Sequence, residues 1–317
     1  MFLVDEPERG LDRLREKDLP RALNQLCTKD SRLTVLTASH APAFLDLRAN
    51  SGILRTTRVP SCPTSVAVID STIQGTLSKL SEQFGIAPGD VLQLTRVFVL
   101  VEGEHDEIVL NHLLADDLGK ASAQTLALRG AKGLRSVVEA KFLFSSTEAM
   151  FLVVLDGLLM DEVRPIWDEA RGHANAGNIR EARGALAKLK GVPGGGELKW
   201  LEELGHAALN TAKFARIEVH GLKERDIVMY LPEGCFMDTS KTWAQLDQEY
   251  EAYCRPLHLA ERRNFKEWLR DFRGAHFGRD DIVNAVHAAS PSTEIQQLGI
   301  NLQTLARFGR ADALEIL

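Results

Sequence analysis

Glu102, Asp106 and Asp156 are the residues of this 317-residue chain whose types and spacing point most directly to chemistry. Glu102 and Asp106 stand in V-E-G-E-H-D, directly after the apolar run Val97–Val101. Asp156 closes a second apolar run, Met150–Leu155, and is followed by Gly157. An apolar run stopped by glycine and acids reads as a buried strand passing into a loop and a helix start. In open parallel sheets, ligands sit beyond the carboxyl ends of the strands. Carboxylate oxygens are hard donors, which suits Mg²⁺ (or Mn²⁺). Acids converging at one sheet edge therefore predict a metal site for phosphoryl chemistry. His105, between the acids, reads as a histidine that caps or packs.

The elements that must hold these acids follow from pattern. A helix over about 105–117 would bury Ile108, Val109, Leu113 and Leu114, and Gln124–Leu128 reads as a strand. Leu134–Phe144 reads as a second helix, before the strand that ends at Asp156. Such alternation predicts a parallel sheet with right-handed crossovers. Lys132, in the loop Arg129–Gly133, either meets a phosphate or is a solvated lysine. Asp161–His173, Ile179–Lys190 and Glu197–Ala212 read as a helical insertion, and Ile217–Leu222 as a further strand.

From Thr239 onward the pattern is helical. Phe265, Trp268, Leu269 and Phe272 make an apolar stripe within Leu257–Arg273. Arg262, Lys266, Arg270 and Arg273 share a face of the same segment. That face either follows a nucleic-acid backbone or is solvated and paired with Glu261, Glu267 and Asp271. Ser290-Pro291 starts a last helix, with Ile295, Leu298, Leu302 and Leu305 available to pack.

At the other end, Phe2-Leu3-Val4 runs into Asp5-Glu6-Pro7, and Leu33–Thr37 runs into Ala38-Ser39-His40-Ala41-Pro42. A carboxylate at a strand end can orient water, and a histidine there can contact a phosphate. Ile53–Thr57 and Val66–Ile69 read as short strands, Ser71–Phe84 as a helix, and Ala87–Asp90 as a turn near a domain boundary. The phosphate loop G-x-x-x-x-G-K-[ST] is missing. The Gly119-Lys120 pair has Leu114 and Ala121 where the motif needs glycine and a hydroxyl.

Hydrophobic residues make up 44% and charged residues 26%, with a net charge of -6. This composition suits packed cores and argues against a uniformly basic surface, while leaving room for a local basic groove. No apolar run approaches the ~20 residues of a membrane span, and no secretory pattern opens the chain. Cys27, Cys62, Cys235 and Cys254 lie far apart with no C-x-x-C pair. They suggest neither a zinc site nor a disulfide framework, and a reducing cytoplasm is the expected location.

Two resemblances rest on these residues. D-E-P-x-x-G-L-D followed by S-H-A-P resembles the second half of an ABC-type ATPase core. The resemblance gives Asp5 to Mg²⁺ support, Glu6 to polarising water and His40 to the γ-phosphate. ATP binding would then need a complementary half, from another polypeptide or upstream of an internal start. V-E-G-E-H-D, then R-G-A-K, then V-V-L-D-G resembles a TOPRIM (topoisomerase–primase) domain. That order of modules resembles the OLD (overcoming lysogenization defect) family of ATP-linked nucleases associated with phage defence.

The fold this implies is α/β. A truncated ABC-type ATPase lobe would span 1–92. A TOPRIM-like parallel sheet would span 93–235, with its insertion at 161–212, and a helical extension 236–317. The implied activity is Mg²⁺-dependent endonucleolytic hydrolysis of DNA, with Glu102, Asp106 and Asp156 as metal ligands. The implied assembly is a homodimer or a complex with the other ATPase half, away from membranes. The chain departs from the family pattern at two places. Leu158 replaces a second Asp, for which Asp161 or Glu162 could substitute, and Val228-Met229 replaces Glu-Asn of an Ile-Glu-Asn-Tyr helix. A non-catalytic nucleic-acid-binding or regulatory module is the alternative.

Overall fold

The computed structural model describes residues 1–39, 41, 43–44, 53–57, 65–69, 95–127, 144, 147, 149–157, 160–192, 195–258 and 262–314. The chain is α/β and divides into two units. One comprises Met1–Thr95 with Phe142–Thr147, and the other Arg96–Lys141 with Glu148–Leu317.

In the first unit, strands β1 (Phe2–Asp5) and β2 (Val35–Ala38) are parallel and joined through helix α1 (Arg13–Lys29). Asp12 accepts from the Arg15 amide at 3.0 Å, which caps the start of α1. Strands β3 (Ile53–Thr57) and β4 (Ser65–Ile69) form a separate antiparallel pair. The helix expected at 71–84 lies outside the described residues.

The second unit is built on a four-stranded parallel sheet in the order β6-β5-β7-β8. Its strands are β5 (Val97–Val101), β6 (Ala123–Ala127), β7 (Met150–Leu155) and β8 (Ile217–Gly221). Every residue of β5 and β7 is buried, as expected of parallel strands covered on both faces. Between β5 and β6 the chain forms two helices, α2 (Glu104–Leu113) and α3 (Ala115–Ala121). A single helix to about 117 was expected. Leu114, at φ −113 and ψ 18, breaks it, and its buried side chain packs beneath the break.

The insertion is α4 (Met160–Asn175), α5 (Ile179–Leu186), a 3-10 turn at Ala187–Gly191, and α6 (Gly195–Asn210). After β8 comes a 3-10 turn, Ile227–Tyr230, where the resemblance implied a helix. The remaining helices are α7 (Trp243–Cys254), α8 (Phe265–Arg273), α9 (Arg279–Ala288) and α10 (Thr293–Leu314). They share one core with the sheet, in which Val99, Leu110 and Leu152 join Trp243, Trp268 and Leu302. Burying each such aliphatic side chain contributes roughly 1.5–3 kcal/mol, so these helices are structural partners of the sheet.

The basic face expected over 257–273 does not form as one helical row. Asn264 caps α8, accepting from Glu267 N at 2.8 Å, while Glu267 Oε2 accepts from Asn264 N at 3.2 Å. Arg262 therefore precedes the helix. The aromatic stripe holds for Phe265, Trp268 and Leu269, whereas Phe272 is exposed. Among the described residues, no helix is long and apolar enough to cross a membrane.

Candidate active site

The sheet of the second unit ends where its acids begin. In the parallel register, Val97 stands beside Met150 and Leu100 beside Val153, so Glu102 and Asp156 both lie just past the carboxyl ends of β5 and β7. Asp106 is in the first turn of α2, and its Oδ2 accepts from Gly103 N at 2.9 Å. That bond satisfies one of the amides left over at a helix start and turns the carboxylate back toward the strand end.

Asp156 is held by the far side of the sheet. Its Oδ2 accepts from Ile227 N at 2.9 Å. Gly157 N donates to Glu224 O at 2.8 Å, and Leu222 N donates to Leu155 O at 2.8 Å. Gly157 has φ +55, and a Cβ there would stand 3.3 Å from Arg225 Cα. Glycine is required here both for its backbone conformation and for the close approach of segment 222–230.

That segment supplies an acid the sequence reading passed over. Asp226 precedes the 3-10 turn and accepts from Val228 N at 3.1 Å. Its Oδ1 also lies 2.8 Å from Lys266 Nζ on α8. The signal lies in K-E-R-D-I-V-M-Y, where the Ile-Glu-Asn-Tyr pattern places its acid at Val228 and leaves Asp226 without a role. Lys266, one of the four cations read as either a nucleic-acid contact or a solvated face, pairs with Asp226 instead. Arg273 pairs with Glu249 at 2.5 Å, and Arg270 lies 3.6 Å from Asp271.

The electrostatics show how closely these groups share one environment. Burial raises the Glu102 carboxyl to about 6, with the charges of Glu197, Asp106 and Asp226 adding to the rise. Asp106 is also raised to about 6 by burial, which outweighs the opposing Lys266 charge and the Gly103 amide. Asp156 is pushed well above the usual carboxylate range by burial, then by Asp106 and Asp226. Glu197, near the start of α6, adds its charge to those acting on Glu102. His105 is lowered by burial and by Lys266, which keeps its imidazole neutral at physiological pH.

Other expectations fall elsewhere. Asp161 and Glu162 are exposed in the first turn of α4, and the charges acting most on Asp156 are Asp106, Asp226 and Lys266. Leu158, Lys132 and His40 lie outside the described residues. In the first unit, Asp5 ends β1, and Glu6 N donates to Ala38 O at 2.8 Å, which places both acids beside the end of β2. Glu6 has φ +44, a conformation that costs a residue other than glycine. Ser39 Oγ donates to Glu8 Oε1 at 2.8 Å, tying the loop after β1 to the loop after β2.

The donor set of Glu102, Asp106, Asp156 and Asp226 fits a hard divalent ion in kind. Burial is the main cause of the raised carboxyls of Glu102, Asp106 and Asp156, and the charges of neighbouring acids add to it. In the arrangement described, no three His, Cys, Asp or Glu side chains among the described residues are grouped closely enough to hold an ion. Lys266 supplies the cation to Asp226 instead. No protein-family model and no curated protein matches the chain.

Proposed function

We propose that this chain is an OLD-type ATPase–TOPRIM protein that hydrolyses DNA phosphodiester bonds with Mg²⁺ or Mn²⁺. The observation that carries the reading is the gathering of Glu102, Asp106, Asp156 and Asp226 beyond the carboxyl ends of β5 and β7 and in the loop after β8. Asp226 would add one carboxylate to a set that lacks acids at Leu158 and Val228. The four carboxylates would hold the ion only once drawn closer together than in the arrangement described. When bound, it would supply a nucleophilic water and neutralise charge on the phosphate. Lys266 offers an ammonium beside the same site, suited to a phosphate oxygen whose charge grows during the reaction.

Asp5, Glu6 and His40 would serve ATP only with a complementary half carrying a phosphate loop, since this sequence has none. Partner binding or homodimerisation is part of the same proposal. Two observations favour the non-catalytic reading: the Lys266–Asp226 ion pair already compensates one acid, and no set of three ligands is grouped among the described residues.

Plasmid nicking decides between the two. The wild-type chain is incubated with Mg²⁺ or Mn²⁺ without ATP, beside Glu102→Ala, Asp156→Ala and Asp226→Ala. Metal-dependent nicking that all three substitutions abolish supports the nuclease. A folded protein that neither nicks DNA nor binds Mn²⁺ in calorimetry supports the non-catalytic module.

A further inference from the structure

Segment 222–230 shapes half of the acidic site, because it carries Asp226 and donates the Ile227 amide to Asp156. The C-terminal helices tie it down at three places. Arg225 Nε lies 2.7 Å from Asp247 Oδ1 on α7, its guanidinium also pairs with Glu251, and it sits 5.0 Å over the Tyr250 ring. Lys266 on α8 holds Asp226. Glu294, in the first turn of α10, takes both ends of the segment. Lys223 N donates to its Oε1 at 3.0 Å, and the Tyr230 hydroxyl donates to its Oε2 at 2.7 Å.

The Tyr230 hydroxyl also accepts from Glu224 N at 3.4 Å. Burial and the Glu294 bond both raise the phenol well above its usual range, so it stays a donor at any physiological pH. Charge-assisted bonds from one carboxylate to two points of a loop restrict that loop more than either bond alone. Arg225 pairs at the exposed surface, where such contacts are weak, whereas the Tyr230–Glu294 bond is half-buried.

We propose that Glu294 and Tyr230 are positioning residues of the acidic site, a latch from α10 that fixes segment 223–230 and, through it, Asp226 and the amide on Asp156. The proposal rests on the reading of those acids as a divalent-ion site. Neither residue contacts the reacting atoms. Both act through the backbone between them.

The test uses the full chain with Glu294→Ala, Tyr230→Phe and Glu294→Gln. Hydrogen exchange of the Ile227 and Val228 amides is expected to quicken at least tenfold in the first two variants, while the Leu100 and Val153 amides hold. Mn²⁺ affinity by calorimetry falls at least threefold in the same two. Glu294→Gln keeps one accepting oxygen and loses the other together with the charge, so it falls between Glu294→Ala and wild type in both measurements. Unchanged exchange at 227–228 overturns the latch, as does acceleration spread evenly over the second unit. A wild-type chain that binds no Mn²⁺ removes the metal-site reading, and the exchange measurement still decides whether the latch exists.

Discussion

Lys266 Nζ stands 2.8 Å from Asp226 Oδ1, joining the second residue of α8 to the acid that completes the cluster at the sheet's edge. The same ammonium lowers the carboxyls of Glu102, Asp106 and Asp156 against the burial that raises them. It is therefore the built-in positive charge of a site that would otherwise hold only acids. An ion entering the proposed site would compete with it. Lys266→Met keeps much of the aliphatic length and removes the charge. Mn²⁺ affinity, read by calorimetry, is expected to rise at least threefold. Weaker or unchanged binding would show that ammonium and ion do not share a site.

The raised carboxyls set a pH dependence of stability. A carboxyl whose pKa is higher in the folded than in the unfolded chain holds its proton more tightly when folded. Glu102 and Asp106 start from 4.5 and 3.8 and reach about 6. Their contribution favours folding fully below about pH 4 and is lost as pH rises through about 6, where the groups must ionise while buried. Thermal melts should therefore show Mn²⁺ raising the melting temperature at pH 7.5 and leaving it nearly unchanged at pH 5. Equal stabilisation at both pH values would place the ion elsewhere.

Much of this architecture was legible because period and burial agree. The runs Val97–Val101 and Met150–Leu155 are apolar on both faces, as only strands of a covered parallel sheet need be, and both are observed with those bounds. The insertion helices were readable from their polar and apolar spacing to within a few residues. Asp226 was not readable as a site residue. Its place depends on Gly157 admitting segment 222–230 against the strand end, a contact between residues far apart in sequence. The shared cationic face failed for a local reason. Asn264 is a better helix cap than the residues before it, so α8 starts after Arg262.

Gly157→Ala tests that close approach. The new Cβ would meet Arg225 Cα at 3.3 Å, at a residue whose φ is +55. Backbone neighbours cannot swing aside as a side chain can. A loss of about 1–3 kcal/mol is expected from the strained conformation, measured by urea denaturation. A loss below about 0.5 kcal/mol would fall within the range of ordinary surface substitutions and show that the segment gives way freely.

Leu302→Ala tests whether the C-terminal helices belong to the sheet's core. Leu302 is fully buried on α10, in one cluster with Val99 and Leu152. Truncating it should cost about 2–5 kcal/mol, with a single unfolding transition for the second unit. Two separate transitions would mean that the helices fold apart from the sheet.

Asn264→Ala links helix capping to the acidic site. Asn264 Oδ1 accepts from Glu267 N at 2.8 Å, and the Glu267 carboxylate answers at Asn264 N. Removing the cap should cost about 1 kcal/mol of stability. The loss falls on the first turn of α8, which carries Lys266, so the ammonium's hold on Asp226 loosens with it. Mn²⁺ affinity should then move in the same direction as in Lys266→Met, by a smaller factor. Asn264→Asp retains a capping oxygen and should restore both stability and affinity. If Asn264→Ala lowers stability and leaves Mn²⁺ affinity at the wild-type value, Lys266 is held by its contact with Asp226 rather than by the helix that carries it.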